Sequence, residues 1–532
     1  MRKIGLAVAV IVVLIGAVGY GLALYGPPQI RTAINKVVQI AVPQADPRPA
    51  LDDAIRQLPP GYVASYKTAE YDVTSDTLTV GGVSLRTTDG IEVSVEEMAV
   101  VHPSKDLNTA WVQAKANPAQ IPQDKALPVA GAIGAKGVQV HAGTFDASMA
   151  SVRIEGARLY PWALLHPGVP AWSEAIAKAS MPNPQPKIED IEPLLRLESA
   201  VLLGVGYDHY VAENMHISGK TSATPAAPAM KIVYDFRKFE GANFERGAGG
   251  DATAEGVSAQ LDEKGGLTVD HVAMAGLNLR KPLSQVLENQ TLAPEMLDGF
   301  AIGKIEYAGM KFTPTGGAEI PIGTLSISKI VFTGSVPVSG ELAFAGLKLS
   351  RTQLPDPKSQ EVFNKLGIET MTISFGLAYR WELDKKRVTV TDLRYKVDEL
   401  GAANVSVDLA EMTPSLLLAV QQGQLAHAVV RYDDGSGIER ALKIVATENQ
   451  TDPAAFRQQV IDMVEAQAQA MGDSPEISAA AKALVAFLQA PKNLTVELAP
   501  AQPVPFASLQ GAAAMPPPEV AKLVGLKVTA NQ

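Results

Sequence analysis

Apolar and polar residues alternate along much of this chain, the period-two pattern of strands with one face toward a core and one toward water. The clearest stretch is 371–383, where Met371, Ile373, Phe375, Leu377, Tyr379, Trp381 and Leu383 hold every odd position. Thr372, Ser374, Gly376, Ala378, Arg380 and Glu382 stand between them, so one face of a thirteen-residue strand is apolar throughout. Asp384-Lys385-Lys386-Arg387 turns the chain back into Val388, Val390, Leu393 and Tyr395, and residues 405–409 add a third strand to the meander. The face formed by Ile373, Phe375, Leu377, Tyr379 and Trp381 is the candidate apolar groove.

A second pattern is an octet, apolar-x-apolar-x-Gly-x-x-apolar. It reads LTVGGVSL at 78 and returns as VRIEGARL at 152, VAMAGLNL at 272, IEYAGMKF at 305 and LAFAGLKL at 342. Glycine inside a strand marks a bulge, a bend or a close backbone approach, which predicts kinks at Gly82, Gly156, Gly276, Gly309 and Gly346. With a degraded copy at 237, the starts at 237, 272, 305 and 342 lie 35, 33 and 37 residues apart. Such a spacing predicts a repeated unit that buries its apolar face against its neighbours.

Helical spacing interrupts the strands. Residues 172–180 and 188–205 carry apolar positions three and four apart, and residues 354–367 begin on prolines and end on glycine. Near the C-terminus, Asp452-Pro453 and Ser474-Pro475 start two helices that read as a hairpin with apolar faces inward. Residues 493–498 and 525–530 return to strand.

At the N-terminus, Arg2 and Lys3 precede 22 uncharged residues, 4–25. At about 1.5 Å per residue this run is roughly 33 Å long, enough to cross a hydrocarbon core of about 30 Å. Ala17-Val18-Gly19 fits a signal-peptidase site but lies inside the run, so the reading is an uncleaved anchor, with a cleaved signal as the alternative. Arg2 and Lys3 then form the cytoplasmic flank, and the bulk of the chain is exported.

The expected organisation is a flank and anchor (1–26), a linker with short helices (27–61), an N-terminal β region (62–160), a helical insert (161–206) and a β-repeat region (207–352). A helix with a three-strand meander (353–410) and a helical hairpin with flanking strands (411–532) complete it. The fold class is mainly β (α+β): an elongated antiparallel sheet with inserted helices.

Composition narrows the function. A net charge of −10 leaves no basic surface for a phosphate backbone, so nucleic acid is not an expected partner. Without cysteine there are no disulfides, thiolate metal sites or cysteine nucleophiles. The seven histidines form no HExxH, and His209 and His216, the nearest pair, lack carboxylates at zinc spacing. Ser218-Gly219-Lys220-Thr221 ends like a P-loop, but Asn214 stands where its first glycine belongs. Ser326-Ile327-Ser328-Lys329 matches S-x-x-K within an alternating strand. Residues 247–251, GAGGD, form a glycine loop without the strand-to-helix setting of a phosphate cradle, and residues 433–437, DDGSG, read as a turn. No catalytic, metal or cofactor residue is assigned, and the chain is read as a non-enzyme.

The anchor followed by LTVGGVSLRTTDGIEVSVEEMAVVHP and by octets such as VAMAGLNLRKP resembles the AsmA-like bacterial envelope proteins and, more loosely, the YdgA-type proteins. The resemblance covers residues 1 to about 410. It implies a curved antiparallel sheet held on the inner membrane, extending into the periplasm and handling phospholipid or maintaining outer-membrane lipid balance. It carries no catalytic residues, and the C-terminal hairpin departs from it. The expected partner is membrane lipid, a phospholipid ligand, alongside envelope proteins. The alternative is a non-catalytic envelope scaffold or protein-interaction module with a closed β core. The two differ in whether the apolar face is open or covered.

Overall fold

The computed structural model describes residues 48–56, 62–87, 90–143, 145–170, 188–220, 231–261, 265–289, 297–354, 356–415, 422–472 and 474–532. The run 4–25, its flank Arg2 and Lys3, most of the linker and the expected helix at 172–180 lie outside these residues. Among the described residues no helix is long and apolar enough to cross a membrane. The protein is mainly β, with long antiparallel strands and several helices. It divides into two compact units, Met1–Tyr307 with Thr333–Ser335, and Ala308–Phe332 with Val336–Gln532.

In the first unit, α1 (Arg48–Arg56) precedes β1 (Tyr62–Ser65) and β2 (Thr68–Asp72), which share β3 (Thr77–Thr87) as their partner. Next come β4 (Ile91–Pro103), β5 (Leu127–Ala142), β6 (Phe145–Leu159), β7 (Val205–Lys220), β8 (Lys231–Glu245), β9 (Ala248–Leu261) and β10 (Gly265–Asn278). From β3 on, each strand is antiparallel to the next in sequence. Register places apolar residues opposite one another, as in the row Leu85, Val93, Val140, Ala147, Ile217 and Tyr234. The middle of that row is sealed, with Val93 4 % and Val140 6 % exposed.

The helices of this unit are α2 (Leu107–Ala116), the single turn α3 (Pro161–Leu164), α4 (Ile188–Gly204) and α5 (Arg280–Glu288). Trp111 of α2 packs into a core with Leu127, Val129 and Leu159. Ala163, Ala200, Leu203 and Leu287 form another core among α3, α4 and α5. The last carbonyls of a helix have no partner within it. At the end of α5, Arg196 of α4 supplies one, donating to the carbonyls of Val286, Leu287 and Asn289 while Glu192 holds its other side.

The division between the units falls within β11 (Ala301–Pro314) and near the end of β12 (Ile320–Thr333). The second unit contains β13 (Val336–Ser350), α6 (Pro357–Leu366), β14 (Thr370–Glu382), β15 (Arg387–Val397), β16 (Gly401–Ala410) and β17 (Gln424–Asp434). Three helices follow, α7 (Gly437–Glu448), α8 (Pro453–Ala470) and α9 (Pro475–Gln489). The chain ends with β18 (Asn493–Leu498), β19 (Val504–Pro505), α10 (Phe506–Gly511), α11 (Pro517–Leu523) and β20 (Leu526–Ala530). The sheet runs β13-β14-β15-β16-β17-β18-β20, all antiparallel, with β19 also on β17.

Three of these helices start alike. Asp356, Asp452 and Ser474 each accept a hydrogen bond from a first-turn amide, with proline just inside the helix. Gly367, at φ 65°, ends α6 in the left-handed conformation that favours glycine.

Strands recur along the chain, and the structure adds detail to two expectations. The octets at 237, 272, 305 and 342 fall on β8, β10, β11 and β13, so the intervals enclose different elements: a strand between the first two, α5 between the next. The spacing near 35 arises because two strands with turns, and one strand with a helix, take similar lengths of chain. The three-strand meander, in turn, lies within a longer run of paired strands, β13 to β18 and β20. It is joined by β17, which the sequence reading did not assign, and by the two C-terminal strands.

Candidate functional site

The candidate face is built on β14. Its neighbours in register are apolar: Leu342, Leu377, Leu393, Val405, Val430, Val496 and Val528 stand opposite one another across seven strands. A parallel row runs Phe344, Phe375, Tyr395, Ala403, Tyr432 and Leu494. On the other side of the first row are Tyr379, Val390, Val407, Ala428, Leu498 and Leu526. Ile373 pairs with Leu347 and Val397, and Trp381 with Val388. The five residues singled out from the sequence thus stand on one surface with the apolar residues of these rows as neighbours.

No residue of the Leu342–Val528 row is buried. Val430 is 42 % exposed and Tyr395 51 %, whereas Val93, Val140 and Ile217 in the first unit's row are sealed. Helical cover reaches the edge of this surface: the Phe487 ring of α9 meets the Tyr432 ring edge-on at 6.2 Å. Burial, and then the Tyr432 hydrogen bond to Asp434, push that phenol above its ordinary range. Trp381 carries a buried indole N–H that finds no acceptor among the described residues.

The opposite face of the same strands is charged. Arg387 pairs with Asp408 at 2.8 Å, Arg431 with Asp433 at 2.8 Å, and Glu497 with both His427 at 3.1 Å and Lys527 at 3.2 Å. A solvated, ion-paired surface thus backs an apolar one that is covered at Val397 and Ala428 but only part-buried or exposed along the row Leu342–Val528.

All five octet glycines have left-handed backbone: φ is 64° at Gly82, 61° at Gly156, 64° at Gly276, 66° at Gly309 and 89° at Gly346. Two show what the conformation serves. A Cβ on Gly276 would lie 3.1 Å from Cα of Gly303, so two backbones meet where no side chain fits. Gly346 sits where the β13–β14 register shifts, a bulge.

The remaining candidates are placed as follows. Each of five histidines faces one carboxylate: His102 with Asp76, His141 with Asp146, His209 with Glu240, His216 with Asp235 and His427 with Glu497. Among the described residues no group of three or more such side chains could hold a metal. Ser328 and Lys329 both bind Glu341. Residues 218–220 belong to β7, and Thr221 lies outside the described residues. Asp434 caps the turn before α7, accepting from the amides of Ser436 and Ile438.

Sequence reading missed Val430, Val496 and Val528 as members of the face. The latter two lie in segments that read as strand, but nothing local says which sheet a strand joins.

A family model described as an uncharacterized protein matches residues 394–531. That span covers β16, β17, β18 and β20 with the intervening helices. Neither the curated proteins nor the solved structures contain a match.

Proposed function

We propose that this is an AsmA-like, inner-membrane-anchored periplasmic protein that handles phospholipid on the open apolar face of its second unit. The observation that carries the reading is the seven-strand row Leu342–Val528, apolar throughout and without a buried member. Apolar patches above a few hundred Å² are uncommon on a monomer unless something occupies them. Rows of aliphatic side chains without fixed polar partners suit an acyl chain, which needs area and no directionality. The charged reverse face keeps the sheet solvated on its other side. The anchor at 4–25, with Arg2 and Lys3 in the cytoplasm, brings such a face close to its lipid source.

The scaffold reading keeps one observation in its favour, the Phe487–Tyr432 contact, in which the C-terminal helices cover part of the sheet.

The test is a photocrosslinker placed at Leu377, on the apolar face, or at Ala378, on the charged one, in cells labelled with radioactive phosphate. A labelled lipid adduct is expected from position 377 alone, and Phe375→Asp in the same chain should reduce it. Absence of an adduct at 377, or equal labelling at 378, refutes the lipid reading; a protein adduct at 377 favours the scaffold.

A further inference from the structure

We propose that Arg246 and Arg280 form a binding site for a phosphate-type oxyanion at the amino end of α5. The site belongs to the first unit and does not rest on the lipid reading of the second.

Arg246 is placed at a cost in three ways. It is the first residue of the two-residue turn between β8 and β9, where Glu245 pairs with Ala248. With φ of 53° at Arg246 and 71° at Gly247, both turn residues are left-handed, a type I′ geometry that favours asparagine, aspartate or glycine. Its side chain is also buried, leaving the residue only 7 % exposed. Finally, its Nε has no acceptor, and among the described residues no carboxylate forms an ion pair with it. Its guanidinium lies over the Tyr160 ring, 5.5 Å from the centroid. A buried guanidinium is ordinarily paired, and an unpaired one is among the most unfavourable groups a fold can hold.

The charges around it do not supply the missing partner. Glu245, beside it in sequence, accepts a hydrogen bond from Tyr160 Oη at 2.6 Å. Its carbonyl accepts from Arg280 Nη2 at 3.1 Å. Asp124 and Glu245 favour the charged guanidinium from a distance, but burial first and Arg280 next push it down. A second cation therefore stands beside the first.

The helix end supplies the third element. Helix α5 opens Arg280-Lys281, with no acidic residue in its first turn; Leu279 offers no side-chain cap, and the Arg280 amide donates to the neutral Asn278 Oδ1 at 3.2 Å, so no side-chain anion sits at this end within the helix itself. Cations at the positive end of a helix are unfavourable unless an anion lies among them. Lys281 has its own partner, Asp298, and among the described residues no carboxylate forms an ion pair with Arg280. The turn is seated on this end by the Leu279 amide, which donates to the Gly247 carbonyl at 2.7 Å. Glycine favours that seating, because φ is 71° at 247 and a Cβ there would displace Leu283 Cδ1, 2.6 Å away. The glycine loop at 247–251, which lacks the strand-to-helix setting in sequence, thus acquires a helix terminus from 30 residues downstream. Two guanidinium forks and a helix amino end match a group with three or more acceptor oxygens and one to two negative charges.

The test uses the full chain in detergent, with phosphorus NMR and calorimetry following inorganic phosphate and, separately, dihexanoyl phosphatidic acid. Arg246→Asn suits the turn, so the variant should fold, melt higher than the wild type without ligand, and bind phosphate about tenfold or more weakly. Arg280→Gln should weaken binding in the same direction. Equal affinity for both probes identifies a free oxyanion as the ligand, and affinity about tenfold higher for the phosphatidic acid identifies a lipid headgroup. The proposal is overturned if neither probe binds the wild type at about 10 mM. It is also overturned if both variants bind as the wild type does.

Discussion

Replacing Val430 by aspartate distinguishes an open face from a closed one, and Val140→Asp provides the reference. Val430 lies between Val405 and Val496 and is 42 % exposed, so a little over half of its surface is covered. Complete burial of a valine contributes about 1.5–3 kcal/mol, so the substitution loses about 1–2 kcal/mol of it. Lower strand preference adds up to about 1 kcal/mol. The carboxylate itself remains hydrated and adds little. Val140 is 6 % exposed and packs with Val93, Ala147 and Ile217, so the same substitution there also buries an unpaired carboxylate. Its cost should be about 5 kcal/mol or more, comparable to the whole stability of a domain. Hydrogen exchange of the full-length protein in detergent, resolved by peptide, reads each site in its own unit. The expected result is protection retained in β16–β18 for Val430→Asp and lost in β4–β6 for Val140→Asp. Equal loss of protection would mean that the face carrying Val430 is covered, and the argument for an acyl-chain surface would fail.

Two further outcomes are expected. Gly276→Ala should destabilise by about 2–3 kcal/mol, since left-handed strain of about 1–2 kcal/mol adds to the 3.1 Å approach of Gly303. Gly316→Ala, at φ 66° with nothing within 4 Å, should show the strain alone. Gly511→Ala, at φ −73° and equally open, should be neutral or slightly stabilising. Melts in which all three agree would refute the close-approach argument. The second outcome concerns pH. The hydrogen bond to Asp146, and then its charge, raise the His141 pKa above the ordinary value of 6.5. The pair therefore contributes fully below about 6.5 and is lost as pH rises through the raised folded value. Imidazole NMR should show His141 titrating above 6.5 and returning toward it in Asp146→Asn; an unchanged midpoint would show that the pair does not form.

The sequence reveals what depends on local repetition. The strand at β14 is legible because thirteen residues keep one period, and the starts of α6, α8 and α9 because an N-cap and a proline stand side by side. Strand β17 is hard to read because the register slips between Asp408 and Leu409, so Leu425 and Ala428 fall out of phase on their own strand. The partners of the apolar face are legible as strands but not as neighbours, since β17 and β18 pair across three intervening helices. Nor does the sequence around Arg246 announce its burial. The ring it rests on is 86 residues upstream and the helix end it faces is 34 downstream.

The strand order has a consequence for how the chain acquires its structure. From β3 to β10, and again from β13 to β17, each strand pairs with the one made just before it, even where helices intervene. Many of these contacts are hairpins, which form in microseconds and require little loop closure. Each such hairpin finds the edge of its predecessor as a template, so the sheet can grow in the order in which the chain appears. Strand β18 departs from this order, as β19 and β20 do after it: its partner β17 must wait until α7, α8 and α9 have been made. Until then the side of β17 away from β16 is an open edge, exposed to pairing with the wrong strand.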